Sequence, residues 1–156
     1  MIAGAARQRL LTFEVGGAAW GLPIADVLEV AEVGPLACVP TLPRRIGGVT
    51  NHHGDALPVI EREALFGGEA NAPPTQLLVI GDRPDATGRL GLPVDRVLGL
   101  ADLEGGLPRG AALVLERRPI DGRVVGVLNT RVLLARAAEL FESAGAREDG
   151  LQGGNR

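Results

Sequence analysis

The chain has 156 residues, of which 46% are hydrophobic, enough apolar material for a folded core. Its 16 basic and 19 acidic side chains leave a net charge of −3, so it lacks the basic excess that nucleic-acid binding needs. All the basic residues are Arg and Tyr is absent, which excludes Schiff-base lysines, lysine-bearing phosphate loops and aromatic stacking platforms. Cys38 is the only cysteine, so no intrachain disulfide and no CxxC site can form. No window approaches the roughly 20 apolar residues of a membrane span, and residues 1–9 carry Arg7 and Arg9 without the apolar run of a secretory signal. The expectation is a cytoplasmic protein with no nucleic-acid partner and no direct membrane insertion.

In chain order, Leu10 to Val15 places Leu11, Phe13 and Val15 on one face, and Gly16-Gly17 offers a hairpin turn before Ala18 to Leu22 returns. Further strand runs follow at Val27–Val30, Ile46–Thr50, Ala56–Glu61, Leu77–Ile80, Arg89–Leu100, Ala112–Leu115 and Val124–Leu128. Their close spacing, with 23 Gly and 11 Pro between them, predicts small barrels or sandwiches. Pro35, Pro40 and Pro43 mark a loop that cannot continue a central strand. A short helical turn is predicted around Glu63–Phe66, closed by Gly67-Gly68, and residues 67–75 have linker composition. A longer helix opens near Asn129 or Thr130, with Leu133, Ala137, Leu140, Phe141 and Ala144 on one face. Gly145 is its expected stop, and 145–156 reads as a mobile tail.

Residues 21–30 (GLPIADVLEV) return as residues 91–100 (GLPVDRVLGL), and HGDALPVIE resembles DGRVVGVLN farther along. This self-similarity predicts two barrels on one plan, the first over about 10–66 and the second over about 77–128. Each is too small to bury enough surface alone, so the two should share an apolar seam.

Chemistry is sparse. His52, His53 and Asp55 invite a metal reading, but adjacent residues in an extended segment point to opposite faces, and no metal is expected. Cys38 sits in an apolar stretch suited to an inert thiol, and Ser143 falls in the last turn of a helix. Asp55, Glu61 and Glu63 read as a solvated face. No catalytic residue and no cofactor are expected, and the residues point to a small all-β binding module.

The block 46–66, IGGVTNHHGDALPVIEREALF, resembles the signature of the CheW-like adaptors of bacterial chemosensory arrays. Ile46, Gly48, Val49, Asn51, Gly54, Pro58, Val59 and Ile60 carry the likeness, with Phe13, Trp20, Gly21, Ile24, Val27, Glu29 and Pro43 upstream and residues 90–97 downstream. The resemblance covers about residues 9–141. It implies an all-β fold of two SH3-like five-stranded β-barrels sharing a hydrophobic core, with a C-terminal helix over 130–144. It implies no enzyme, but an adaptor recruited to receptor clusters that couples the cytoplasmic tip of a methyl-accepting chemoreceptor, seated between the barrels, to a CheA-type histidine kinase regulatory domain. Val27, Glu29, Gly48, His53 and Gly54 fall where the family meets receptor or kinase. The structural alternatives are plain core at Val27, a solvated strand residue at Glu29 and positive-φ turn residues at Gly48 and Gly54.

His52-His53 replaces the family's Leu-Arg, and Glu61-Arg62-Glu63 its Asp-Leu-Arg. A permanent fork-shaped cation thereby becomes an imidazole. The departures point to a divergent adaptor that keeps receptor binding with kinase coupling weakened or lost. The alternative is a regulatory module of this fold in another signalling complex, or a small-ligand-binding domain.

Overall fold

A computed structural model describes residues 8–33, 47–68, 73–82 and 87–153, with side chains described up to 143 apart from 82 and 87. Cys38, Pro35, Pro40, Pro43 and Ile46 lie outside these residues, as do most of the N-terminal extension, the middle of the predicted linker and the last three residues.

Among the described residues, ten strands form two five-stranded sheets. The strands are β1 (Gln8–Val15), β2 (Ala18–Pro23), β3 (Val27–Glu32), β4 (Gly47–His52), β5 (Asp55–Ile60), β6 (Gln76–Asp82), β7 (Thr87–Val94), β8 (Arg96–Leu103), β9 (Val114–Ile120) and β10 (Arg123–Leu128). A short helix α1 (Arg62–Phe66) follows β5, and α2 (Thr130–Gly153) follows β10. The sheet orders are β8-β1-β2-β10-β9 and β3-β6-β7-β5-β4.

These orders correct the predicted barrel boundaries. The first barrel joins β1 and β2 to β8, β9 and β10; the second joins β3, β4 and β5 to β6 and β7. Each barrel therefore takes two strands from one half of the chain and three from the other. The exchange happens inside the repeat. Gly21-Leu22-Pro23 ends β2 and the chain passes through a 3-10 turn at Ile24–Asp26 into β3; Gly91-Leu92-Pro93-Val94 ends β7 and the chain passes Asp95 into β8. The run Arg89–Leu100, expected as one strand, is thus two strands in different sheets. Proline lacks the N–H that a continuing ladder needs, which suits a strand end.

The expected seam is present. Leu11, Phe13, Val15 and Leu22 from the first barrel pack with Ile60, Leu78, Ile80, Leu90, Leu92 and Val94 from the second, and with Leu133 and Ala137 of α2. Each barrel also has a small interior of its own, Leu10, Leu103 and Val127 in the first and Leu57, Val59, Leu77 and Val79 in the second. Strand β6 reads as a nearly continuous apolar run because Leu77 and Val79 fill its barrel while Leu78 and Ile80 fill the seam; in β1 Leu11, Phe13 and Val15 face the seam and Leu10 the barrel interior. Trp20 of β2 adds a bridge, its ring 4.8 Å from that of Phe66 in α1 and beneath the Arg117 guanidinium at 5.5 Å.

Polar latches hold both crossovers. The Arg62 side chain, 4% exposed at the start of α1, is ion-paired with Asp95 Oδ1. Asp95 Oδ2 accepts from the Gly16 N–H at 2.7 Å, its N–H donates to the Glu14 carbonyl at 2.9 Å, and its carbonyl accepts from Thr75 Oγ1 at 2.8 Å. At the other crossover, Thr130 Oγ1 donates to Asp26 Oδ2 at 2.7 Å. In both cases the first residue of a helix is tied to the segment where the chain changes sheets.

Helix α2 is capped by Asn129, whose Oδ1 accepts from the Val132 N–H at 3.4 Å. It continues past Gly145 to Gly153, so the predicted stop and the tail from 145 are corrected. One glycine costs a helix only about 1 kcal/mol, and the flanking Ala, Arg and Glu residues are good helix formers. Gly16 and Gly17 do form the β1–β2 turn, with φ of 62° and 82°. Gly48 is not a turn residue: it pairs with Val59 inside β4, and the positive φ of this segment, 153°, belongs to Gly47. A Cβ on Gly47 would lie 1.9 Å from the Val59 carbonyl oxygen, so the strand pair approaches too closely for any side chain there.

Gly47→Ala should lower stability by about 2–4 kcal/mol in denaturant unfolding, and an unchanged midpoint would mean that β4 and β5 are not this close. Arg62→Ala removes the ion-pair partner of the Asp95 carboxylate, which still accepts from the Gly16 N–H, and should cost about 2 kcal/mol, whereas Thr130→Val should cost about 1 kcal/mol. Equal losses would show that the two latches do not differ in charge and burial as described.

Candidate functional site

The β4–β5 hairpin turns through His53 and Gly54, with φ of 52° and 89°. Two successive positive φ values give the tight hairpin turn whose twist matches the strands, and His tolerates the left-handed region better than most side chains. The Gly54 N–H donates to Asn51 Oδ1 at 2.8 Å, locking the turn from inside. Gly54 therefore occupies the positive-φ position expected of it.

The left-handed residue has a consequence that strand alternation does not foresee. His52 ends the strand, but His53 is already in the turn, so the two rings fall on the same side, with centroids 4.2 Å apart and planes at 59°. Both reach one acceptor. His52 Nε2 lies 2.7 Å and His53 Nε2 2.9 Å from Glu29 Oε2. The expectation that the two histidines face apart is corrected. An ionised carboxylate only accepts, so each Nε2 carries the proton it shares with Glu29. The hydrogen bonds from His52 and then His53 hold the Glu29 carboxyl below its usual range.

The position of this cluster is as informative as its chemistry. Strands β3 and β4 are the opposite edges of their sheet. Glu29 on β3 and His52 on β4 meet because the sheet curls round, so the cluster clasps the barrel where the ladder does not. The other barrel is clasped at its own edges by Arg118 of β9, which donates to the Glu104 carbonyl just beyond β8 at 3.2 Å.

Of the five expected contact residues, Glu29, His53 and Gly54 are brought together. Val27 begins β3, opposite Ile80, and packs against the shared core. Gly48 lies on β4, facing Val59. His52 joins the cluster although it was not among the five; its adjacency to His53 was visible, but the turn that aligns them was not. Exposed apolar side chains stand at Val30 of β3 and Leu100 of β8, which are repeat-equivalent positions on the two edge strands, and at Val124 of β10.

A separate open cleft of about 1250 Å³ runs between α2 and the barrels, with Leu90, Leu134 and Phe141 beside Arg89, Arg109 and Arg131. None of Val27, Glu29, Gly48, His53 or Gly54 lines it. Of the carboxylates read as a solvated face, Asp55 is exposed at the start of β5, whereas Glu61, just before α1, is half-buried, its carboxyl pushed up by burial and then by the nearby Glu63. Ser143 is exposed on α2.

Glu29 gives a pH prediction. Its carboxyl is lowered in the folded state, so its contribution is complete above the ordinary value of 4.5 and is lost as pH falls through the folded value. The Tm difference between the wild type and Glu29→Gln should narrow from about pH 6 to about pH 3. A constant difference would mean that the carboxylate charge is not what holds the clasp.

Comparison with known proteins agrees with this architecture. Residues 9–138 match the CheW-like domain family. "Protein FrzA" of Myxococcus xanthus is 40% identical over 96 residues, which cover 60% of this chain and 58% of that protein. The chain thus spans a little over half the length of that curated relative. The crystal structure of the scaffolding protein TtCheW from Thermoanaerobacter tengcongensis superposes with a TM-score of 0.66 at 20% identity, covering 79% of this chain and 89% of that one. At that identity the likeness speaks for the fold. No helix among the described residues is long and apolar enough to cross a membrane.

Proposed function

The chain belongs to the CheW-like domain family of scaffold and adaptor proteins, and from that premise we propose that it is a non-catalytic adaptor linking a chemoreceptor tip to a CheA-type kinase in the cytoplasm. In this reading the protein is recruited to receptor clusters rather than inserted in the membrane. One observation carries the proposal: the family match over residues 9–138 takes in both barrels, the seam between them and the start of α2.

Two surfaces suit two partners. The cleft beside α2 offers Leu90, Leu134 and Phe141 with arginines around them, a setting for an amphipathic helical hairpin with acidic flanks. The edge of β3, with Val27, Glu29 and exposed Val30, lies beside the His53-Gly54 turn and suits a partner that packs a barrel or strand against it. Gly48 is not part of this surface; it pairs with Val59 inside β4.

One of the two departures from the family pattern, His52-His53, falls on the second surface, while Glu61-Arg62-Glu63 lies at the start of α1, where Arg62 pairs with Asp95. With an imidazole where the family carries Arg, the Glu29 carboxylate meets a smaller donor without a fixed charge. The cleft is built from other residues. This supports a divergent adaptor that keeps the receptor while its kinase coupling is weakened or lost.

Separate titrations of the protein with a cognate receptor's cytoplasmic domain and with the kinase regulatory domain test the proposal. Receptor binding at least about tenfold tighter than kinase binding is expected. Comparable tight binding to both would remove the divergent version, and binding to neither would remove the adaptor reading. His53→Arg should tighten kinase binding, leaving receptor binding and Tm nearly unchanged; unchanged affinity for both partners would place residue 53 outside any interface.

A further inference from the structure

We propose that Glu29, His52 and His53 form a binding site for a divalent transition cation of the zinc type, which closes the second barrel across its unpaired edges. Two imidazole nitrogens and one carboxylate are a recognised ligand set for such ions, and they leave a fourth position for water. The three donor atoms all lie within 4.8 Å of one another. Around a tetrahedral ion with bonds of about 2.0–2.1 Å, neighbouring donors stand about 3.3 Å apart. His52 Nε2 and His53 Nε2 are at 2.7 and 2.9 Å from Glu29 Oε2, so a spread of about half an ångström admits the ion.

The backbone prepares this arrangement without the ion. His53 is held in the left-handed region by a turn that Asn51 and Gly54 lock from within, and that conformation puts the second ring beside the first. His52 is on one edge strand and Glu29 on the other, so the ion would bridge segments that share no ladder. The exposures suit a site with an open face: the side chain of His52 is 20% exposed, that of Glu29 38% and that of His53 73%. Binding needs the lone pairs of both Nε2 atoms, which carry the protons shared with Glu29. In a neutral ring that proton moves to Nδ1, freeing the Nε2 lone pair for the metal. The nitrogen donors select for zinc, cobalt or nickel over magnesium and calcium, which favour oxygen shells.

The test is titration of the full-length protein with Zn²⁺ in a non-chelating buffer, followed by calorimetry, with Mg²⁺ as the comparison ion. One equivalent of Zn²⁺ should bind with Kd below about 100 μM and raise Tm, and Mg²⁺ should do neither. Substituting Co²⁺ should produce the visible absorption of a low-coordinate nitrogen–oxygen site. Glu29→Gln and His53→Asn should each weaken Zn²⁺ binding more than about tenfold, and Asn keeps the left-handed turn so that the fold is retained. Cys38→Ala should leave the affinity unchanged. Absence of binding at about 1 mM Zn²⁺, full affinity in both ligand variants, or loss of binding in Cys38→Ala would each overturn the assignment.

Discussion

The chain changes sheets twice, and almost everything else in the molecule answers to that constraint. Because β2 leads into β3 and β7 leads into β8 across the gap between barrels, neither five-stranded sheet can be completed from one half of the sequence. A small barrel buries too little apolar surface to be stable alone, and this arrangement removes the option of a lone barrel altogether. The seam of Phe13, Leu22, Leu78, Ile80, Leu92 and Leu133 is the energetic counterpart of that topology, since each fully buried side chain of this kind contributes about 1.5–3 kcal/mol.

The crossovers need directional bonds as well as burial, because an apolar seam by itself permits sliding. Asp95 supplies them at one crossover to four partners: its carboxylate holds Arg62 and the Gly16 N–H, its own N–H reaches the Glu14 carbonyl, and its carbonyl takes Thr75. The equivalent crossover uses a neutral hydroxyl, Thr130, against Asp26. The asymmetry accords with burial: the Arg62 side chain is enclosed and requires a charged partner, whereas a hydroxyl does not. Relatedness of the two halves is thus kept in backbone placement more faithfully than in side-chain chemistry.

The same economy shapes the adaptor surface. The Glu29–His52–His53 cluster closes one barrel while standing at the edge strand that the proposed function assigns to a partner. Any change of charge in the cluster therefore bears on the shape of the edge and on its attractiveness to partners together. The cleft beside α2 contains none of the clasp residues, being walled by α2, by residues 107–111 and by strand residues such as Pro58 and Leu90. Membership of a scaffold family fits a molecule whose polar groups serve to position elements around a doubled apolar core.

Much of this was legible in the residues. The strand runs, the Gly16-Gly17 turn, the shared seam and the Asn129 cap all arise from local pattern and short-range hydrogen bonding, which act within a few residues of the chain. The duplication of Gly-Leu-Pro was legible too, but its meaning was not, because periodicity records which face of a strand is apolar and not which sheet receives it. Only the tertiary structure decided that the repeats are crossovers, that Arg89–Leu100 is broken at Asp95, and that helix α2 runs through Gly145. It also decided that His52 and His53 converge, since a single left-handed residue overrides strand alternation and Glu29 arrives from 23 residues away in sequence. Local rules determine the elements; pairing over long separations depends on the packing of the whole, where several partners compete for each edge and the buried seam selects among them.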